Sequence, residues 1–499
     1  MEAATQPKRI PRISTGIAGL DDILAGGLPA GHFYLVEGDP GSGKTTLGLQ
    51  FLLTGIACGE KVLYVTLSES ADELRAVAAS HGFDLGSMPM LELLSEEALR
   101  PETQYTVFHP SEIELADTIK TIITQVDKIA PSRLVIDSVS ELRMLAHDTL
   151  RYRRQILALK RFFEDRQCTV LLLDDRSSEH LGMQLFSIVH GVINMEKVPR
   201  EYGVTRRRLE IPKLRGSLYR EGYHDYRIRH GGVDVYPRLV SAEHNPGFKP
   251  RVAKSGIPEL DDLLGGGLDH GTSTLLVGPA GCGKSTLALK FAHSACLRGE
   301  TVCMYTFEEG TQTVLSRAAN LGMDLRPMIA DRRMRLEQVD PAELSPGEFV
   351  QKVRNAVERD HARVITIDSL NGFLQAMPGE EFLAIQLHET LSYLNQLGVL
   401  TLMVLAQAGV IGTSMQAPAD VSYLADNILL LRYFEVAGAV RKAISVVKKR
   451  SGSHEQTIRE LMLLPGKVTV GKALTQFHGV LTGVPVFIGG EATGVSAND

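Results

Sequence analysis

Gly38-Asp39-Pro40-Gly41-Ser42-Gly43-Lys44-Thr45 fits the pattern of a phosphate-cradling loop, and the pattern returns as Gly278-Pro279-Ala280-Gly281-Cys282-Gly283-Lys284-Ser285. Such a loop works only between a buried strand and a helix, so it dictates an α/β layout wherever it occurs. Phe33-Tyr34-Leu35-Val36 and Thr274-Leu275-Leu276-Val277 read as the entering strands. Thr46-Leu47-Gly48-Leu49-Gln50-Phe51 and Thr286-Leu287-Ala288-Leu289-Lys290-Phe291 open the departing helices. In this geometry the glycines turn backbone N–H groups onto phosphates and Lys44 or Lys284 reaches the outer phosphates. The Thr45 or Ser285 hydroxyl ligates Mg²⁺. Two copies, each in strand–loop–helix context, set aside an accidental glycine-rich turn and imply two ATP sites.

The loop is one part of a larger duplication. Thr15-Gly16-Ile17-Ala18-Gly19-Leu20-Asp21-Asp22 returns as Ser255-Gly256-Ile257-Pro258-Glu259-Leu260-Asp261-Asp262, and Gly16 to Gly256 keeps the same offset of 240 as Lys44 to Lys284. The period is domain-sized. Strands at 61–66 and 301–306 are each followed by acids, Ser68-Glu69 and Glu308-Glu309, which should lie near the phosphates because ligands gather at the carboxyl ends of parallel strands. A solvated helix cap is the alternative for these acids. A third strand ends in aspartate in both halves, Asp137 and Asp368, where a carboxylate holds Mg²⁺ directly or through water. Strands at 168–173 and 399–404 follow long helices at 149–164 and 380–396, and each half closes with alternating strands that include 206–214 and 443–447. The fold class expected is α/β: two tandem P-loop NTPase domains, each a mainly parallel twisted sheet flanked by helices. The breaker-rich stretch Ser241 to Pro250 marks a linker, giving domains at 1–245 and 246–485 and a flexible tail at 486–499.

A net charge of −6 over 499 residues argues against a protein whose main work is coating nucleic acid. Five scattered cysteines without CxxC spacing suggest neither disulfides nor zinc, but reduced, semi-buried core residues. The polar Met1 to Pro11 stretch has no apolar segment and no run approaches a membrane span, so a cytoplasmic protein without membrane contact is expected. The basic clusters at Arg151 to Arg154, Arg206 to Arg208 and Lys448 to Arg450 read as exposed faces. In ring ATPases a strand-borne Lys or Arg also completes the neighbour's nucleotide site.

Taken together, these residues resemble the KaiC family of circadian-clock proteins. The resemblance covers nearly the whole chain, and its most specific pieces are Thr15-Gly16-Ile17-Ala18-Gly19-Leu20-Asp21, Lys213-Leu214-Arg215-Gly216-Ser217 and the block from Ala425 to Tyr433 that continues through Arg441-Lys442-Ala443-Ile444 to Ile458-Arg459-Glu460. The resemblance implies a homohexamer of two stacked rings with ATP at subunit interfaces, hydrolysis chiefly in the N-terminal ring, and serine/threonine autokinase and phosphatase chemistry in the C-terminal ring. It gives catalytic roles to Glu69, Glu308, Glu309, Lys213, Arg215, Lys448 and Arg450, makes Ser422 the phosphoacceptor, and suggests a KaiB-like or other signalling partner. Three departures stand out: Ser68 replaces the first N-terminal acid, Tyr423 replaces the threonine beside the phosphoserine, and the residues after Phe477 lack clear similarity to the segment that binds the activator KaiA. They put a two-site phosphorylation cycle and KaiA-type activation in question. Two other classes compete with the enzyme reading. One is an ATP-gated scaffold that signals through a partner with little catalysis; the other is a RecA- or RadA-like DNA-repair ATPase, which calls for a basic groove that the composition does not supply.

Overall fold

The computed structural model describes residues 11–93, 110–146, 148–176, 185–199, 203–243, 247–375, 383–407, 422–436, 438–480 and 486–487. The chain divides into two units, Met1–Arg238 and Leu239–Asp499. Ser241, in the stretch expected to be a linker, donates its N–H to Glu389 of the second unit at 3.1 Å.

In the first unit β1 (Phe33–Gly38) feeds α1 (Lys44–Ala57). Then come β2 (Val62–Thr66), α2 (Ala71–Ser80), β3 (Met90–Glu92), α3 (Pro110–Ile129), β4 (Arg133–Asp137), α4 (Val139–Ala146), α5 (Thr149–Asp165) and β5 (Thr169–Asp175). The unit closes with β6 (Gly191–Val198), β7 (Arg206–Leu214), β8 (His224–Arg229) and β9 (Gly232–Tyr236). Among the described residues these strands form a nine-stranded sheet in the order β9-β8-β7-β6-β1-β5-β4-β2-β3. From β6 to β3 the pairings are parallel, and from β6 to β9 antiparallel. The interior strands are buried on both faces, which is why they read as unbroken apolar runs.

The second unit repeats this plan with β10 (Ser273–Gly278), α6 (Lys284–Leu297), β11 (Thr301–Thr306), α7 (Thr311–Asn320), β12 (Met334–Gln338), α8 (Pro346–Glu358) and β13 (Ala362–Asp368). There follow α9 (Leu370–Gln375), α10 (Leu383–Gln396), β14 (Leu400–Ala406), β15 (Asn427–Val436), β16 (Ala439–Lys449), β17 (Arg459–Leu464) and β18 (Lys467–Ala473). The order β12-β11-β13-β14-β10-β15-β16-β17-β18 matches the first sheet strand for strand. Two tandem RecA-like domains are therefore the observed fold. Residues 380–382 of the expected 380–396 helix lie outside the described residues.

Each sheet carries a separate core on each face. In the first unit Tyr34, Val36, Leu47, Phe51 and Leu171 pack on the α1 side, and Phe33, Leu35, Ile136, Phe163 and Leu172 on the other. Burying each such side chain contributes about 1.5–3 kcal/mol, so alternate residues of one strand hold both layers in place. The repeated opening motif has a structural explanation. The Asp21 carboxylate accepts from the Thr15 N–H at 2.8 Å, the Thr15 hydroxyl at 2.7 Å and the Ser14 hydroxyl at 2.5 Å, and Asp261 likewise accepts the Ser255 N–H at 2.7 Å. Arg133, 2% exposed, then ties this segment down, donating to the Ser14 and Phe51 carbonyls at 2.8 and 2.9 Å and to Glu60 at 2.6 Å.

No described helix is long and apolar enough to cross a membrane. The five cysteines are free; four are buried, and Cys58, expected to be semi-buried, is exposed because it caps the end of α1 at the surface.

Candidate functional site

Both loops are built where the sequence places them. Gly43 and Gly283 precede α1 and α6 with φ of 99° and 108°, a left-handed turn that aims the next N–H groups into the loop and disfavours other residues. A Cβ on Gly38 or Gly278 would meet the Met195 or Leu431 carbonyl oxygen at 2.2 or 2.4 Å, so the neighbouring strand fixes where each loop begins. A tyrosine pins each loop from the antiparallel side. Tyr226 donates its hydroxyl to the Ser42 carbonyl at 2.7 Å, and Tyr433 to the Ala280 carbonyl at 3.0 Å. Gly41, Ser42 and Thr46 complete the first loop and Gly281, Cys282 and Thr286 the second; Ser42, Thr46, Cys282 and Thr286 are buried.

In the first unit the Lys44 ammonium donates to the Gly38 and Asp39 carbonyls at 2.8 and 3.2 Å and to Asp175 at 2.9 Å. Asp137, at the end of β4, accepts from the Thr45 hydroxyl at 2.8 Å and from the Tyr64 hydroxyl at 2.6 Å. Glu69 follows β2, and its Oε2 is buried without a hydrogen-bond partner. Burial, then the charges of Asp137 and Glu73, raise its carboxyl above the ordinary range. The helix-cap alternative fails for Glu69, since Ser70 caps α2 in a reciprocal box with Glu73.

The second unit arranges the same positions differently. Lys284 donates to the Pro279 carbonyl at 2.6 Å and lies 3.8 Å from the Cys282 sulfur; burial lowers its pKa against the opposing pull of Cys282, Asp368 and Glu308. Asp368, 7% exposed, leaves Oδ2 without a partner, and burial pushes its carboxyl up while the Ser285 hydroxyl beside it works against that shift. The acidic pair after β11 is split. Glu308 accepts the Ser369 hydroxyl at 2.6 Å, whereas Glu309 is clamped by Arg317 through bonds of 2.5 and 3.1 Å. Neither acid caps α7, whose N-cap is Gly310. A buried, unpartnered carboxylate oxygen on Asp368 beside the Ser285 hydroxyl suits a hydrated divalent cation, as does the Asp137–Thr45 pair.

Lys213 and Arg215 are not brought to their own loop. Leu214 pairs with Gly191, which pairs with Tyr34, so both cations sit at the amino end of β1, roughly four residues or 13 Å of strand from Gly38. There Lys213 donates to the Phe186 carbonyl and Arg215 to the Ser187 carbonyl at 2.8 Å. Lys448 and Arg450 occupy the matching end of the second sheet. Lys448 donates to the Ala425 carbonyl at 2.7 Å, and Arg450 bonds Asp426 at 3.1 Å and the Tyr423 carbonyl at 3.5 Å. Ser422 begins the short 3-10 turn Ser422–Leu424 at this same end; its side chain lies outside the described residues. Tyr423 is 57% exposed.

Several residues that shape the sites carried no motif in the sequence: Asp175, Tyr64, Arg317 and Ser369. Only Asp175 had a local signal, an Asp174-Asp175 pair closing an apolar strand that was expected to stop at Leu173. Asp174 is paired with Arg143, and burial still pushes it up to about 6.

A family model described as the KaiC ATPase matches residues 13–240 and again 253–474. The circadian clock oscillator protein KaiC of Acaryochloris marina is 27% identical over 490 residues, covering 95% of this chain and 91% of the relative. That of Synechococcus elongatus is 27% identical over 498 residues, covering 97% and 93%, and that of a Picosynechococcus strain 28% over 492, covering 96% and 93%.

Proposed function

The chain belongs to the KaiC ATPase family, a duplicated ATP-binding ATPase, and we propose from its two sites that the halves divide hydrolysis and self-phosphorylation between them. On this reading residues 1–245 and 246–485 form two stacked rings of a homohexamer; of the expected 486–499 tail, Val486–Phe487 pairs with Phe477–His478 and the rest lies outside the described residues. The observation that carries it is the polarity of each sheet: the loop stands at the carboxyl end, while Lys213 and Arg215, or Lys448, Arg450 and the Ser422 turn, stand at the amino end. Residues so placed meet a nucleotide only when it is bound by another subunit.

Gly38 to Thr46 and Gly278 to Thr286 would hold ATP, and Thr45 with Asp137, and Ser285 with Asp368, would hold Mg²⁺. The cation supplies charge neutralisation on the outer phosphates. In the N half Glu69, whose carboxylate is left untied, positions the attacking water, and the neighbour's Arg215 and Lys213 stabilise charge on the departing phosphoryl group. In the C half Glu308 takes the Oγ proton of the neighbour's Ser422 as the new O–P bond forms and ADP leaves. Glu309, tied to Arg317, orients the strand end and does not itself accept a proton. A phosphate on Ser422 would add a charge of roughly −1.5 to −2 beside Lys448 and Arg450, a change that a KaiB-like partner could read. Tyr423 offers a phenol farther from the backbone than a threonine hydroxyl, so one phosphate per subunit is expected.

The test is phosphopeptide mapping after incubation with Mg-ATP, on the wild type, Ser422→Ala and Tyr423→Phe. Phosphate should map to Ser422 and vanish in Ser422→Ala. Persistence there, or loss only in Tyr423→Phe, overturns the assignment; absence of any phosphate together with nucleotide-dependent partner capture would favour a scaffold.

A further inference from the structure

The two loop lysines differ in what holds them. Lys44 has three acceptors within 3.2 Å, and one is the Asp175 carboxylate at 2.9 Å. Asp175 ends β5 directly opposite Gly38 in the sheet register. Ala406 occupies the matching place opposite Gly278, so Lys284 has no acid in this position. Arg176 does not relieve Asp175 of its charge: it is engaged with Glu196 at 3.1 Å. Among the described residues, the acids Glu141 and Asp174 also feel the Asp175 charge, and Asp174 is held by Arg143.

We propose that Asp175 sets the nucleotide affinity of the N half, its carboxylate being the anion on Lys44 that the ATP phosphates must displace. An ammonium has three donors, and two are already spent on the Gly38 and Asp39 carbonyls. The third serves either Asp175 or a phosphate oxygen. Once displaced, the carboxylate remains beside the phosphate chain, where like charge adds to the cost of binding. Asp175 is 56% exposed, which screens both effects; a pair of this kind is worth up to about fivefold in an equilibrium constant. The N half should accordingly bind ATP several-fold more weakly than the same loop without the acid, and Asp175 is a positioning residue that acts through Lys44. This rests on the reading of Lys44 as a phosphate contact.

The experiment uses full-length protein and a fluorescent ATP analogue. In a Lys284→Ala background, which leaves the N-half site to be read alone, Asp175→Asn is expected to tighten binding about fivefold and lower KM for ATP in step, while Asp175→Glu restores the original values. The reciprocal Ala406→Asp, in a Lys44→Ala background, should weaken the C-half site by a similar factor; it guards against misfolding of the first variant, because it installs the effect elsewhere. Unchanged or weakened binding by Asp175→Asn overturns the proposal, as does a tenfold loss of kcat at unchanged affinity, which would make Asp175 a catalytic residue. If Lys44→Ala alone leaves N-half affinity intact, the phosphate-contact reading of Lys44 fails first and takes this proposal with it.

Discussion

At the carboxyl end of β5 the N half carries Asp174 and Asp175; at the matching end of β14 the C half carries Leu405 and Ala406. At the end of β2 the relation is reversed, with Ser68 where the C half has Glu308, and Val77 where it has the Arg317 that clamps Glu309. Asp137 receives a phenol from Tyr64, whose place is taken by Met304 next to Asp368. One backbone plan thus serves two distributions of carboxylate. The N half sets Asp175 directly on its loop lysine; the C half has Ala406 there, and the acids that act on Lys284 are Asp368 and Glu308. The two sites diverge at strand ends, on the helix that follows and, at Tyr64 and Met304, inside the core itself, while the backbone plan is kept.

The comparison can be broken most decisively through the cations at the amino ends. Arg215→Ala is expected to lower N-half ATP turnover by about 10³ with nucleotide binding nearly intact, and Arg450→Ala to lower phosphorylation of Ser422 without that loss of turnover. A monomeric variant that keeps full ATPase activity would contradict the trans assignment for both halves. Next in size, Glu308→Gln should reduce the rate of Ser422 phosphorylation by about 10², in a single-turnover assay with radiolabelled ATP, because it removes the proton acceptor. Glu309→Gln should act mainly on stability, and equal rate losses from the two would erase the division drawn between them.

Acid offers a third probe. His224, 1% exposed, has Nε2 3.0 Å from the Arg220 carbonyl and accepts the Arg238 N–H on Nδ1 at 2.8 Å, so the neutral Nε2–H tautomer fits, and burial lowers its pKa to about 4. The unfolded chain takes up a proton near pH 6.5 and the folded one does not until about 4. Stability from this residue is therefore complete above pH 6.5 and is lost as pH falls toward 4, by about 3 kcal/mol. Asp174, raised to about 6, works in the opposite direction over much of that window, so the reading is the difference between wild type and His224→Gln in denaturant melts at several pH values. No difference across that range would remove His224 from the account. The smallest effect is expected from Tyr64→Phe, which makes the first site resemble the second: loss of one hydrogen bond to Asp137 should change Mg²⁺ dependence of N-half turnover about fivefold and leave the C half untouched.

What the sequence made legible follows from range. The loops, the opening turn closed by Asp21 or Asp261, and the strands entering and leaving them are local patterns whose meaning does not depend on distant neighbours, and the repeat doubled each signal. Of the antiparallel extensions, β7 and β16 were legible from their alternation, whereas β8, β9, β17 and β18 were not read as strands. Tyr64 was silent and Asp175 showed only as half of an acidic pair, because their significance comes from side-chain bonds across 73 and 131 residues, which no local spacing encodes. Glu308 and Glu309 read in the sequence as one acidic pair, whereas the structure engages them differently. Only the fold brings Arg317, in the last turn of α7, back onto Glu309.

The polarity of each sheet also has a consequence for symmetry. A nucleotide loop at one end and the residues proposed to complete it at the other are two different surfaces, so copies can be joined in series, each loop meeting the next copy's cations. Contacts of that kind are head to tail. They either close under pure rotation or continue as an open helix, and the small turn from one copy to the next decides which. Both sheets share this polarity, so each half carries one such pair of surfaces, and a substitution at either surface acts first on the contact of its own half.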